Sequence, residues 1–129
     1  MTNDERQALV NHRQEKAKDT LGEIETLIRN EFLNNAVNRL YYACYYSVSA
    51  LLIKRGLQTK THTGARQLFG LHFVKAGLIS QESGDFYTLI FELRQTGDYG
   101  DFIVFLKEEV YALIEPAKTL IKEVEALLT

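Results

Sequence analysis

The stretch from Asn34 to Gly56 constrains the fold of this chain more than any other part of its sequence. It contains no proline, and its only glycine is its last residue. Two lines of residues recur in it at the period of an α-helix. The first line is mainly apolar and consists of Val37, Leu40, Tyr41, Cys44, Val48, Leu51 and Leu52. The second line carries only small side chains and consists of Ala36, Ala43, Ser47 and Ala50. We therefore predict a central helix that is buried on more than one side and stops at Gly56.

Four tyrosines, Tyr41, Tyr42, Tyr45 and Tyr46, lie close together in this helix. The simplest interpretation of the stretch is a core helix. A tyrosine hydroxyl nevertheless needs a hydrogen-bond partner when it is buried. We therefore also expect polar contacts here, either inside the fold or at an interface.

The segments around the central helix predict further helices. A first helix begins in a capping box at Thr2 and continues to about Ile28, with the polar run 13–19 predicting a solvated or loosely packed first half. A third helix spans Gly64 to Lys75, and a fourth follows the cap Ser80 and ends at Gly97. The residues expected to face inward on the third and fourth helices are Leu68, Leu71, Phe73, Val74, Phe86, Leu89, Ile90 and Leu93.

The last predicted helix extends from about Phe102 to Leu128, after a turn at 97–101. Pro116 lies inside it and should bend it, because its ring blocks the bond to Ala112. The apolar stripe of this helix consists of Ile103, Leu106, Val110, Leu113, Ala117, Leu120, Val124 and Leu127. No segment has the period of a strand. The sequence thus predicts one all-α domain over residues 1–129, an antiparallel up-and-down bundle of about five helices.

Charge and cysteine content exclude several classes of protein. The net charge of −2 gives no global positive field, so nucleic-acid binding would need a local patch. The lone Cys44 cannot form an internal disulfide, and it lies on the apolar line, where packing is its expected role. The chain starts without a signal-peptide pattern, and no apolar run approaches the ~20 residues of a membrane span. We therefore expect a cytoplasmic protein with no membrane contact.

The histidines do not predict a metal site. His12, His62 and His72 lie far apart, and no His-x-x-x-His pattern or cysteine pair is present. We expect no metal and no cofactor. A glycine-rich phosphate loop and a serine nucleophile elbow are also absent from the sequence.

The segment from Arg94 to Tyr99 carries the clearest functional signal. In one interpretation Arg94 pairs with Asp98 and is structural. In the other it binds an anionic ligand with other cations, for which Arg39, Lys60, His62 and Arg66 are the candidates. His62 precedes a predicted helix start, where a capping or surface histidine and an anion site are both common.

Three separated motifs resemble the HEPN family of small helical nucleotide-binding domains, and the short stand-alone prokaryotic members most of all. They are Ala36–Ala43, Lys60–Gly64 with Phe73–Gly77, and Arg94–Tyr99. The resemblance spans roughly residues 20 to 127. It implies an up-and-down helical bundle, commonly a homodimer, with a functional cleft between the two copies near the end of the fourth helix.

The resemblance also implies what the Arg94 segment does. Many HEPN proteins are metal-independent ribonucleases, often toxins, with an Arg followed by a polar residue and, four to six residues after the Arg, a His. Arg94 matches the Arg, Gln95 takes the polar position, and no His follows. Tyr99 is the candidate proton donor in its place. Short members often act with a minimal nucleotidyltransferase, which in some pairs adds AMP to a Tyr, and Tyr99 is the candidate acceptor.

The first functional hypothesis is a homodimeric HEPN protein that binds a nucleotide or RNA and acts with a nucleotidyltransferase in a toxin–antitoxin-like module. Its ligand-binding candidates are Arg94, Asp98, Arg39, Lys60 and His62. A second hypothesis is a ribonuclease toxin with a degenerate motif, which uses Arg94 with His62 or Tyr99. A third is a helical interaction module in which Arg94 is only structural.

Overall fold

The computed structural model describes residues 1–99 and 104–129, and at 97–99 it describes the backbone alone. Within these ranges the chain forms seven α-helices and one π-helical turn. They are α1 (Asn3–Leu21), α2 (Ile24–Arg29), α3 (Leu33–Lys54), α4 (His62–Phe69), the π-helical turn Gly70–Val74, α5 (Gln81–Tyr99), α6 (Lys107–Tyr111) and α7 (Ile114–Leu128). The described residues contain no strand.

These elements form five helical segments of a bundle. Helix α1 continues into α2, α4 continues into the π-helical turn, and α6 continues into α7, while α3 and α5 each form a segment alone. The predicted all-α bundle of about five helices is confirmed. None of the described helices is long and apolar enough to cross a membrane.

Helix α3 lies at the centre and contacts the other six helices. Both predicted lines of α3 are buried, which confirms a helix covered on more than one side. Cys44 has no exposed surface, and burial raises the pKa of its thiol to about 12, so it acts as a small apolar side chain. Gly56 adopts φ +70° and the Leu57 amide donates to the Leu52 carbonyl at 2.9 Å, so the helix ends where the sequence predicted.

Helix α1 packs along α3, so the prediction of a loosely packed first half is wrong. Val10 and Ala17 are buried against the core. The Arg6 guanidinium donates to the Ile53 carbonyl at 2.9 Å, and Lys54 donates to Gln7 at 2.7 Å. Arg6 and Gln7 of α1 are thus bonded to the C-terminal end of α3.

Two predicted helix ends differ from the structure. The first helix does not continue to Ile28, because Gly22 follows the last residue of α1 and separates it from α2. The fourth helix does not stop at Gly97 but continues to Tyr99. A glycine inside a helix costs only about 1 kcal/mol, which the rest of α5 offsets. Residues 100–103, including the predicted start of the last helix, lie outside the described residues.

The last predicted helix is divided into α6 and α7. Pro116 lies in the first turn of α7, where a missing N–H is tolerated. The interruption falls at Ala112 and Leu113, which agrees with a ring that blocks the Ala112 carbonyl. Leu106 was expected in the inner stripe but is 57% exposed, because it precedes α6, where its N–H donates to the Glu109 carboxylate at 3.0 Å.

The π-helical turn changes the register after α4. Each π turn takes in one residue more than an α turn, and here Phe73 is buried while Leu71 is 55% exposed. The prediction that Leu71 faces inward is therefore wrong. Leu89 was also expected inward and is 44% exposed, because α5 turns Phe86, Tyr87, Ile90 and Phe91 to the core.

Candidate functional site

A cluster of aromatic rings surrounds Tyr41 on α3. Tyr41 is fully buried, and its ring lies 6.0 Å from that of Tyr45, 6.1 Å from that of Tyr87 and 6.0 Å from that of Phe91, measured between centroids. Tyr42, on the exposed side, meets Tyr41 edge-on at 5.3 Å. These five rings form what we call the aromatic cluster, and it joins α3 to α5.

Arg94 lies against this cluster. Its guanidinium carbon is 5.4 Å from the Tyr41 ring centre and 5.3 Å from the Tyr42 ring centre, and Nη2 donates to the Tyr42 hydroxyl at 3.2 Å. Arg94 follows Phe91 and Tyr87 by about one and two helical turns, so α5 presents all three on one face. Cation–π contacts with the two tyrosine rings hold the guanidinium and fix its orientation. The side chain is half-buried, so a ligand can still reach it.

His62, the first residue of α4, contacts the same tyrosines, with its ring centre 5.5 Å from that of Tyr41 and 5.7 Å from that of Tyr42. Thr61 caps α4 by accepting the Gly64 N–H at 2.8 Å. His62 Nδ1 is 2.7 Å from the Tyr41 hydroxyl, and its ring centre is 4.4 Å from that of Tyr45. Burial first, and then the positive charge of Arg94, lower the pKa of His62 below its usual 6.5.

The titration of these groups determines their chemistry. Burial raises the pKa of Tyr41 and of Tyr87, so both phenols stay protonated at neutral pH. The imidazole of His62 is neutral there, since its pKa lies below the usual range. If Tyr41 donates to Nδ1, the imidazole proton is on Nε2. The site thus combines a fixed guanidinium, suited to a phosphate, with a neutral imidazole, suited to proton exchange.

The structure brings together only some of the residues that the sequence proposed. Arg94 and His62 meet at the aromatic cluster. Arg39 lies in a separate groove of about 590 Å³ that Gly22 and Asn38 also line, where its Nε donates to Glu23 at 3.1 Å. Lys60 is exposed and lines another pocket. The side chains of Asp98 and Tyr99 lie outside the described residues, so their proposed roles stay predictions.

Sequence reasoning singled out Tyr41, Tyr42 and Tyr45 but did not predict how the rings of this site meet. The run of tyrosines in α3 predicted polar contacts, and Tyr41 does bond to His62. The spacing of Phe91 and Arg94 in the sequence also puts them on one face of α5. No spacing rule, however, indicates which face of α5 packs against α3, so the contact between Arg94 and Tyr42 was not predicted. Among the described residues, no group of three or more His, Cys, Asp or Glu side chains could hold a metal ion.

The chain matches one family model and several known proteins. A family model described as the HEPN domain matches residues 10–127. A Thermotoga maritima protein named UPF0332 protein is 39% identical over 124 residues, which cover 96% of this chain and 94% of that protein. A Methanocaldococcus jannaschii protein named "Putative toxin MJ0142" is 35% identical, with 78% of this chain and 68% of that protein covered. A second protein of that organism, "Putative toxin MJ0605", is 38% identical, with coverage of 74% and 69%.

Proposed function

This chain belongs to the HEPN family, and on that premise we propose that it binds the phosphate of a nucleotide or an RNA through Arg94, as the toxin-like member of a two-protein module. The proposal treats residues 1–129 as one helical domain. Two relatives whose names contain "toxin" support the biological role. The position of Arg94 supports the chemistry.

The single observation that carries the proposal is the orientation of Arg94 by two tyrosine rings. A guanidinium presents a planar set of donors that can bind two oxygens of a phosphate at once. Holding it on Tyr41 and Tyr42 reduces the conformational entropy that a ligand would otherwise have to remove. The Tyr42 hydroxyl accepts one N–H of Arg94, which further fixes the orientation of the guanidinium.

A specific observation also favours ribonuclease activity as a second candidate function. The family motif places a His after the Arg in sequence, and this chain lacks it. His62 stands near Arg94 in space instead, with a lowered pKa and one ring nitrogen bonded to Tyr41. In this candidate Nδ1 carries the ring proton and donates it to the Tyr41 oxygen, which leaves Nε2 as the base. Nε2 accepts the proton of a ribose 2′-hydroxyl while that oxygen attacks the phosphorus, and the 5′-oxygen leaves and takes a proton from water. Arg94 would stabilise the charge on the phosphate oxygens.

The partners of the module are part of the proposal. We propose a homodimer, in which the Arg94 sites of two copies face a shared cleft, and a minimal nucleotidyltransferase as the second protein. Tyr99 is the proposed acceptor of AMP from that enzyme. Sedimentation equilibrium at micromolar concentration tests the dimer, and a monomer would contradict it. Transfer of label from ATP to the protein by the partner, lost in Tyr99→Phe, tests the acceptor.

Arg94→Lys tests the central proposal, because it keeps the charge and removes the two-oxygen contact. We expect affinity for RNA and for nucleotides to fall about tenfold or more, which corresponds to the strength of a charge-assisted hydrogen bond. Fluorescence anisotropy with labelled RNA and calorimetry with AMP measure this. The matched control is Arg29→Lys, at an exposed cation on α2.

The same samples separate the three functional hypotheses. Unchanged affinity in Arg94→Lys, with the protein still folded, would leave only a helical interaction module. Loss of affinity supports the binding proposal. Cleavage of labelled RNA in the presence of EDTA, abolished by His62→Gln, would add the ribonuclease activity. Uncleaved RNA in the wild-type protein would reject that second candidate alone.

A further inference from the structure

A second pocket lies beside the aromatic cluster, between α1, α3 and the loop before α4. Its volume is about 560 Å³, within the range of small-molecule sites. Arg13 comes from α1, Tyr45 and Ser49 come from α3, and Thr59 and Lys60 come from the loop. We call it the Arg13–Lys60 pocket.

The charge of the pocket suits an anion. Arg13 and Lys60 both line it, and none of the described residues that line it is acidic. Neither cation pairs with a carboxylate within the part of the chain that the structure describes, whereas Arg39 in its own groove is paired with Glu23. The Nε atom of Arg13 is buried and has no hydrogen-bond partner among the described residues. A buried donor without a partner is costly, and an anion in the pocket would offset that cost by pairing with the guanidinium as a whole.

The rest of the pocket suits a flat aromatic group with polar edges. Leu52 is 3% exposed and Ala65 is 1% exposed, and they contribute an apolar floor. Ser49, Gln58 and Thr59 line the same pocket and supply hydroxyl and amide groups. A nucleotide combines these features, since its base is flat and carries hydrogen-bonding edges while its phosphate is anionic.

Tyr45 connects this pocket to the Arg94 site. It lines the pocket, and its ring centre lies 4.4 Å from that of His62 and 6.2 Å from that of Tyr42. Arg94 contacts Tyr42 in turn. Cations alternating with aromatic side chains are typical of surfaces that bind single-stranded nucleic acids.

We propose that the Arg13–Lys60 pocket is a second nucleotide-binding site, separate from the Arg94 site, in which Arg13 and Lys60 bind the phosphate. The nucleotide is either free or one unit of an RNA strand that also reaches Arg94. Only the strand form rests on the function proposed above. The pocket itself is argued from its own residues.

The experiment compares free AMP with single-stranded oligoadenylates of increasing length, on Arg13→Gln, Lys60→Gln and the control Arg29→Gln. We expect each pocket variant to lower affinity about tenfold, as for a lost charge-assisted contact. For the oligonucleotide, each should also reduce the slope of log K against log salt concentration by about 0.7. Lys60 is exposed, so Lys60→Gln should fold even if Arg13→Gln does not.

Including Arg94→Lys in the same series keeps the two proposals apart. Affinity that falls in Arg94→Lys but not in either pocket variant would overturn this inference and leave the proposed function standing. Affinity that falls in the pocket variants but not in Arg94→Lys would support the pocket and overturn the proposed function. Loss of AMP binding identifies a free nucleotide as the ligand. Loss confined to the longer oligonucleotides identifies the strand.

Discussion

The Tyr41 hydroxyl lies 2.7 Å from Nδ1 of His62, which bonds the middle of α3 to the first residue of α4 across 21 positions of sequence. This bond places an imidazole beside the rings that hold Arg94. It also explains why a tyrosine, and not a phenylalanine, fits a fully buried position of the central helix, because the hydroxyl has a partner.

Arg94→Gln should raise the pKa of His62. The positive charge of Arg94 is the second cause of the lowered pKa, after burial, so its removal favours the imidazolium. NMR titration of the His62 ring resonances measures the change. Arg29→Gln, which removes an exposed charge on α2, should leave the titration curve in place. The same curve in Arg94→Gln and in the wild type would show that Arg94 does not act on His62.

His62 should make stability fall as the pH drops below about 6.5. Its pKa in the folded state lies below the usual 6.5, so in this range the unfolded chain binds more protons than the folded one. Its contribution is therefore fully present above that pH and is lost as the pH falls towards the folded pKa. Urea unfolding between about pH 5 and 8 should give a shallower dependence in His62→Gln than in the wild type. His12→Gln, at an exposed position, is the control, and equal slopes in all three proteins would contradict the prediction.

Glu123→Gln should destabilise the bundle by about 1–2 kcal/mol, a charge-assisted value reduced for partial exposure. The Glu123 carboxylate on α7 accepts the Ser80 N–H at 2.8 Å, the Ser80 hydroxyl at 2.9 Å and the Ser83 hydroxyl, so it ties α7 to the start of α5. Burial raises its pKa, but these hydrogen bonds outweigh burial and hold the pKa below 4.5. The stabilisation is thus present above that pH and is lost as the pH falls through the folded pKa.

Chemical denaturation near neutral pH measures the Glu123 effect. Glu115→Gln is a suitable control, because Glu115 is on the same helix and its side chain is 83% exposed. A Glu123 variant as stable as the Glu115 variant would mean that the charge on the Glu123 carboxylate adds nothing to stability.

Leu51→Ala should cost about 2–5 kcal/mol, since the side chain is fully buried and its removal leaves a cavity in the centre of α3. Leu89→Ala is the matched control. Leu89 is 44% exposed, so its change should stay within about 0.5 kcal/mol. Leu113 is only half-buried, so Leu113→Ala should fall between the two. Unfolding free energies from urea titration give the order of destabilisation among the three variants. A Leu89 variant as unstable as the Leu51 variant would contradict the prediction that the cost follows burial.

The sequence by itself determined the central helix and the class of the fold. The lines through Val37 and Ala36 repeat at helical period, and residues at that period must share a face whatever surrounds them. Burial of that face is then dictated by apolar composition. The stop at Gly56 is equally local, because only the backbone of that residue and the preceding turn decide it.

Tertiary structure alone decided how the site is assembled. Leu71 and Leu89 turned outward because the π-helical turn and the packing of α5 set their direction, and neither is encoded in local spacing. Arg94, Tyr42 and His62 belong to three helices, and their convergence depends on which faces of those helices meet. Sequence spacing specifies positions around one helix axis, while a site between helices depends on the relative placement of several axes, which only the packed core establishes.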